Sequence, residues 1–158
     1  MDAEDEARPQ IRTFTEQDRE AVMALAPRLT EGVAPWRDPS AVLRAVTQWV
    51  TDSLERANSA DCAVFVGEVR GRVVGAVTVA TRRHFTGEVD AYVGELIVAA
   101  GNSRHGVGSA LMSAAEDWGR ARGLARLSLD TGAANTIARG FYEKLGYEDE
   151  DVRLSRRL

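Results

Sequence analysis

Between Cys62 and Val98 the chain carries three apolar runs of strand character, and these runs limit what the rest of it can become. Cys62–Val69 and Val73–Thr81 flank Arg70-Gly71-Arg72, a short glycine-centred turn between β-rich segments, which predicts a hairpin. Ala91–Val98 is a third run, reached across a polar excursion at Arg82–Asp90. Three consecutive strands joined in this way build an antiparallel sheet, and both faces of so apolar a sheet need a cover.

The flanking segments supply that cover. Ile11–Phe14 alternates apolar and polar residues as an edge strand does, after an acidic lead-in over residues 1–10 that Pro9 closes. Thr15–Leu29 reads as a helix: Glu16, Asp18 and Glu20 suit its positive end, and Val22, Leu25, Ala26 and Leu29 recur at helical spacing. Gly32, Pro35 and Pro39 mark Glu31–Pro39 as a loop. Ser40 then caps a helix with Leu43, Val46, Val50 and Leu54 on one face. Gly106–Ala121 places Val107, Leu111, Ala114 and Trp118 on a single stripe and stops at Gly123. Leu127–Leu129 reads as a further strand, Asn135–Leu145 as a helix and Tyr147–Leu154 as a closing strand or strand pair. The order predicts one α/β domain over residues 11–158, a mixed and mostly antiparallel sheet with helices on both faces.

Composition narrows the function classes. With 158 residues the chain holds one domain, large enough to bury roughly 70% of its unfolded surface without a staple. Cys62 has no cysteine to pair with, and two histidines do not complete a structural zinc site, so no metal is expected. The formal charge of −4 disfavours nucleic acid. All basic residues but Lys144 are arginines, a bias that says little about partners. No apolar run nears the ~20 residues that span a bilayer, and the start is acidic rather than signal-like. The expectation is a soluble cytoplasmic protein without a membrane partner.

Chemistry concentrates in Glu95–Leu111, ELIVAAGNSRHGVGSAL, where a buried strand runs through small and polar residues into a helix opening at Gly106 or Val107. Such a helix start offers unpaired N–H groups and a positive dipole end to a phosphate. Gly106 and Gly108 let an anion approach the main chain, Ser109 adds a hydroxyl, and Arg104 and His105 add donors at the rim. The nucleoside-triphosphate loop fails for want of a lysine. The dinucleotide fingerprint fails because Leu111 stands where its third glycine belongs. A Gly-x-Gly pair alone also fits a tight turn before an ordinary core helix.

Glu-Leu-x-Val, a short loop and Arg-His-Gly-Val-Gly-Ser-Ala-Leu together resemble the acetyl-CoA-binding segment of the GNAT superfamily of N-acetyltransferases. Asn135-Thr-Ile-Ala-Arg-Gly-Phe-Tyr-Glu-Lys-Leu-Gly-Tyr147 resembles the family's second motif, and the element order agrees from Ile11 onward. One position departs: Ser103 stands where the phosphate loop usually carries glutamine or arginine. The resemblance implies acetyl-CoA as donor cosubstrate, held by Ile97, Val98, Ser103, Arg104, His105, Gly106, Val107, Gly108, Ser109 and Asn135. Ile97 and Val98 would pair with the pantetheine arm, and the Val98 N–H would stabilise the oxyanion. Tyr142 matches the family's general acid, its alternative being a core aromatic. Glu95 is the candidate base for a protonated amine, the alternative being an arginine pair or a water chain. Asn135 equally suits a helix cap.

The resemblance implies an amine of a small molecule or peptide as the acceptor. The loop 31–38 would border its groove, with Trp36 as a wall and Glu31 and Asp38 attracting the cation. The acidic run Glu148–Asp151 reads as a solvated turn, and Arg82, Arg83 and His84 as exposed. Trp49, Trp118 and the closing strand are candidates for the core or for a homodimer interface. Besides the enzyme, two readings stay open: a non-catalytic acyl-CoA-binding module of the same fold, and a plain interaction domain.

Overall fold

The hairpin turn falls where the sequence puts it, with Arg70 and Gly71 both at positive φ between two long strands. A computed structural model describes residues 8–103 and 105–158. Its elements are β1 (Gln10–Thr13), α1 (Arg19–Leu25), α2 (Pro39–Glu55), β2 (Cys62–Val69), β3 (Arg72–Arg83), β4 (Val89–Val98), α3 (Val107–Ala121), β5 (Leu127–Leu129) and α4 (Thr136–Lys144). The five strands lie in chain order, antiparallel from β1 to β4, and β4 pairs β5 in parallel. The fold class is the expected one.

Side-chain alternation sends each strand's residues to two separate cores. Ala63, Val77, Val79, Ala91 and Val93 meet Val107, Leu111, Met112, Ala115 and Trp118 of α3, with Phe141 and Tyr142 of α4 packed against them. On the opposite face Val64, Val66, Ala76 and Ile97 meet Val22, Ala26, Val50 and Leu54 of the first helices. Burying a large aliphatic side chain contributes roughly 1.5–3 kcal/mol, so these two clusters hold the sheet between its helices.

Four boundaries differ from the sequence reading. The first helix is not continuous over Thr15–Leu29. It breaks into a 3-10 turn at Glu16–Asp18, α1, and a second 3-10 turn at Ala26–Thr30, where Pro27 has no N–H to continue the ladder. The second begins at Pro39 with Asp38 as its cap, accepting from Ala41 N at 2.8 Å, and Leu43 at its open end is 43% exposed. The polar excursion shrinks to His84–Glu88, because Arg82 and Arg83 pair with Asp90 and Val89. Tyr147–Leu154 forms no strand. Tyr147 packs against the α3 core and donates to Glu116 Oε1 at 2.9 Å, Asp149 and Glu150 pair with Arg139 and His84, no strand pairs with the segment, and Val152 and Leu154 stand exposed. Residues 1–7 of the acidic lead-in lie outside the described residues, and Gln10 belongs to β1.

Candidate functional site

β4 carries one residue too many for its partner. Val79 stands opposite Val93 and Val77 opposite Leu96, so two steps of β3 match three of β4, a bulge at Gly94 and Glu95. The extra residue reverses the facing of everything after it. Val93 packs in the α3 core, while Ile97, four residues on, packs in the α1–α2 core. It also turns Glu95 toward α2, where Ser53 Oγ donates to Glu95 Oε2 at 2.9 Å, the Thr78 hydroxyl donates to the same oxygen, and Glu95 N donates to Thr78 Oγ1 at 3.0 Å. Glu95 is 6% exposed. Burial pushes its carboxyl above the usual glutamate range, with Asp52 adding to the shift and the two hydroxyls opposing it.

Past the bulge the sheet opens. β4 and β5 pair only over Ala91–Val93 and Leu127–Leu129, so the far half of β4 has no strand on that side. Ala99 N donates to Val74 O at 2.8 Å, which fixes the phase of the ladder: Ile97 and Ala99 address β3, while Leu96 and Val98 turn their main-chain groups to the open edge. The expectation that Ile97 offers main-chain groups to a ligand is therefore corrected, since its backbone serves β3 and its side chain the core. Arg28, which the sequence reading passed over, reaches this edge: its Nε donates to Val98 O at 3.1 Å. No local pattern marks Arg28, which stands 70 residues from Val98.

The loop beyond β4 makes a 3-10 turn at Ala100–Asn102 and enters α3 through Gly106, whose φ of 74° is left-handed backbone that favours glycine. The first helical hydrogen bond is Ala110 N to Gly106 O, and no side chain among the described residues caps the helix, so the amides of Val107, Gly108 and Ser109 have no partner within it. Ser103 Oγ is spent on Ala100 O, and His105 is exposed. Arg104 lies outside the described residues. Gly108 has a second reason to be glycine, since a Cβ there would meet Phe141 Cζ at 3.2 Å.

α4 brings Tyr142 to the same end of the sheet. Its ring stands edge-on to Phe141 and Tyr147, at centroid distances of 5.2 and 5.8 Å. Burial alone pushes its phenol up to about 12, and no hydrogen bond among the described residues engages it. Asn135 caps α4: Oδ1 accepts from Ala138 N at 3.2 Å, and Nδ2 donates to Glu31 O at 3.4 Å. Gly32 lies so close to Asn135 and Gly132 that neither glycine has room for a Cβ. Residues 28–33 thus strap the end of β4 to the loop after β5. Of the loop residues expected to attract a cation, Glu31 is paired with Arg28 and Asp38 is a helix cap, while Trp36 is 68% exposed. Trp118 is core and Trp49 is surface. Among the described residues no helix is long and apolar enough to cross a membrane, and no group of three or more metal-ligating side chains converges.

Residues 20–147 match the family described as Acetyltransferase (GNAT) family. Solved structures share the fold. A Pyrococcus furiosus protein assigned as an acetyl transferase superposes with a TM-score of 0.74 at 20% identity, over 96% of this chain and 100% of that one. AAC(6')-Iy, in complex with the bisubstrate analog CoA-S-monomethyl-acetylneamine, gives 0.68 at 21%, over 96% and 99%. A Trypanosoma brucei acetyltransferase gives 0.65 at 23%, over 95% and 99%.

Proposed function

Because the chain belongs to the acetyltransferase (GNAT) family, we propose that it transfers an acetyl group from acetyl-CoA to a primary amine of a small molecule or peptide, by direct attack while both are bound. The observation that carries this reading is a pair of main-chain arrays at the two ends of one loop whose N–H groups have no hydrogen-bond partner among the described residues. One is the uncapped amides of Val107, Gly108 and Ser109, and the other is the open edge of β4 at Leu96 and Val98. Acetyl-CoA supplies a diphosphate suited to the first, an amide-bearing arm suited to the second, and the activated acyl group.

The chain's own residues divide the work. Gly106 directs the helix amides, and the Val98 N–H is a donor for a carbonyl oxygen that gains charge. Tyr142, protonated throughout the neutral range, holds a proton at Oη that it shares with the departing thiolate as the carbon–sulfur bond breaks. Glu95 is the base: raised by burial, it holds protons at a pH nearer neutrality than a free glutamate does. Both its hydroxyl partners address Oε2, leaving Oε1 for a proton or a water. Trp36 borders the acceptor.

Calorimetric titration with acetyl-CoA, followed by thiol release across a panel of primary amines, tests the proposal. Saturable binding with amine-dependent release is expected. The absence of both heat and thermal protection sinks it. Binding without release on any amine favours the non-catalytic acyl-CoA module, a reading that gains from the depth at which Glu95 is buried.

A further inference from the structure

The parallel ladder ends at Val93 opposite Leu129, so Asp130 is the first residue of its strand to leave β4, at the point where the sheet forks. Leu127 and Leu129 pack against the α3 core, and alternation sends Asp130 to the other face. Tyr92 confirms that facing: it sits between Ala91 and Val93, both in the α3 core, and its Oη donates to Asp130 Oδ2 at 2.8 Å. Glu95, one turn of the bulge further along β4, faces the same side.

We propose that Asp130 receives the ammonium group of the acceptor and holds the amine at the fork. This rests on the acyl-transfer reading and names the residue that selects its acceptor. The Asp130 side chain is 78% exposed, yet it is oriented. Tyr92 Oη and Arg82 Nη1, the latter at 3.4 Å, both address Oδ2, while Arg82 lies 4.2 Å over the Tyr92 ring. No hydrogen bond among the described residues reaches Oδ1. The Tyr92 phenol is pushed up to about 12, mainly by burial and then by Asp130, so it remains a donor to Oδ2 across the working pH range. An exposed pair at 3.4 Å, such as Arg82 with Asp130, is worth little, so a second cation can share the carboxylate. Glu95 is too deeply buried to meet a hydrated ammonium at the mouth.

The test compares wild type with Asp130→Asn, Asp130→Glu and Tyr92→Phe, using 1,4-diaminobutane, tyramine and lysine methyl ester as acceptors. Asp130→Asn is expected to raise acceptor KM about two- to five-fold, the range of an exposed ion pair, with kcat altered less than KM. Coenzyme A affinity and melting temperature stay unchanged, Asp130→Glu recovers part of the loss, and Tyr92→Phe gives a smaller rise in KM. An acceptor KM that Asp130→Asn leaves unmoved overturns the proposal. Binding is read separately by titrating 1,4-diaminobutane into the protein saturated with coenzyme A. If wild type transfers nothing but binds the diamine, and Asp130→Asn does not, the transfer reading fails while the amine site stands. Equal heats from both proteins, or none from either, overturn the site.

Discussion

Burial raises two acids near the end of β4, Tyr142 and Glu95, and the proposed reading gives them different tasks. A phenol pushed up to about 12 cannot act as a base near neutrality, so Tyr142 is a proton donor or nothing. Tyr142→Phe keeps the ring contacts with Phe141 and Tyr147 and deletes only the proton. Turnover should fall about 100-fold, the lower end of general acid–base contributions, with coenzyme A affinity unchanged by calorimetry. Glu95 is an acid raised by desolvation, so folding binds its proton more tightly than the unfolded chain does. Its stabilising contribution is therefore complete below the unfolded value of about 4.3 and is lost as pH rises through the raised folded value. Glu95→Gln, neutral throughout, should melt with wild type at pH 4 and above it at pH 8. A variant that melts lower at pH 8 than at pH 4 relative to wild type contradicts the burial argument. The same variant should lose amine-dependent thiol release, which separates the base from a merely buried carboxyl.

At the scale of elements, the site is the meeting of an open strand edge with an uncapped helix, and one left-handed residue joins them. Gly106→Ala puts a Cβ at a φ of 74°, where no described residue crowds it but the backbone is unfavourable by about 1 kcal/mol. Loss of about that much stability in denaturant melts, together with weaker coenzyme A binding, is expected. Gly101→Ala, in the same loop with open space around it and no positive φ, should change neither. Equal effects from the two substitutions would mean that Gly106 merely fills a loop. This helix start was legible because a glycine pair at the end of an apolar strand is a local signal. The open edge was not. Ile97 and Val98 are adjacent apolar residues of one strand, and only the pairing of Ala99 with Val74 decides which of them faces outward. The bulge at Gly94 and Glu95 is similarly silent, since its evidence is a count on β3, not a residue on β4.

For the whole molecule, pattern sufficed wherever an element's partner is dictated by the element itself. The hairpins, the two helical covers and the mixed sheet follow from periodicity and turn chemistry. What escaped the sequence depends on distant register: Arg28 on Val98, Asp130 beside Tyr92, and a final segment whose alternating Val152 and Leu154 suggest a strand that has nothing to pair with. One such long-range tie closes the entry to the fold. Arg12 of β1 clasps Asp18 with both terminal nitrogens, at 2.7 and 2.8 Å, and reaches Glu68 of β2 at 2.6 Å. Asp18 also accepts from Thr15 N at 2.8 Å. Chiefly through Arg12, against the cost of burial, its carboxyl is held down to about 2 from an ordinary 3.8. A depressed acid stabilises the fold fully above its unfolded value and loses that contribution as pH falls through the folded one. Between about pH 4 and pH 2, wild type should therefore lose stability that Asp18→Asn never had, on the order of 1–2 kcal/mol because Arg12 is partly exposed and solvent screens the pair. Urea melts of both proteins across that window should converge toward pH 2 and separate above pH 4. Parallel curves would place the worth of this tie in its hydrogen-bonded shape and not in its charge.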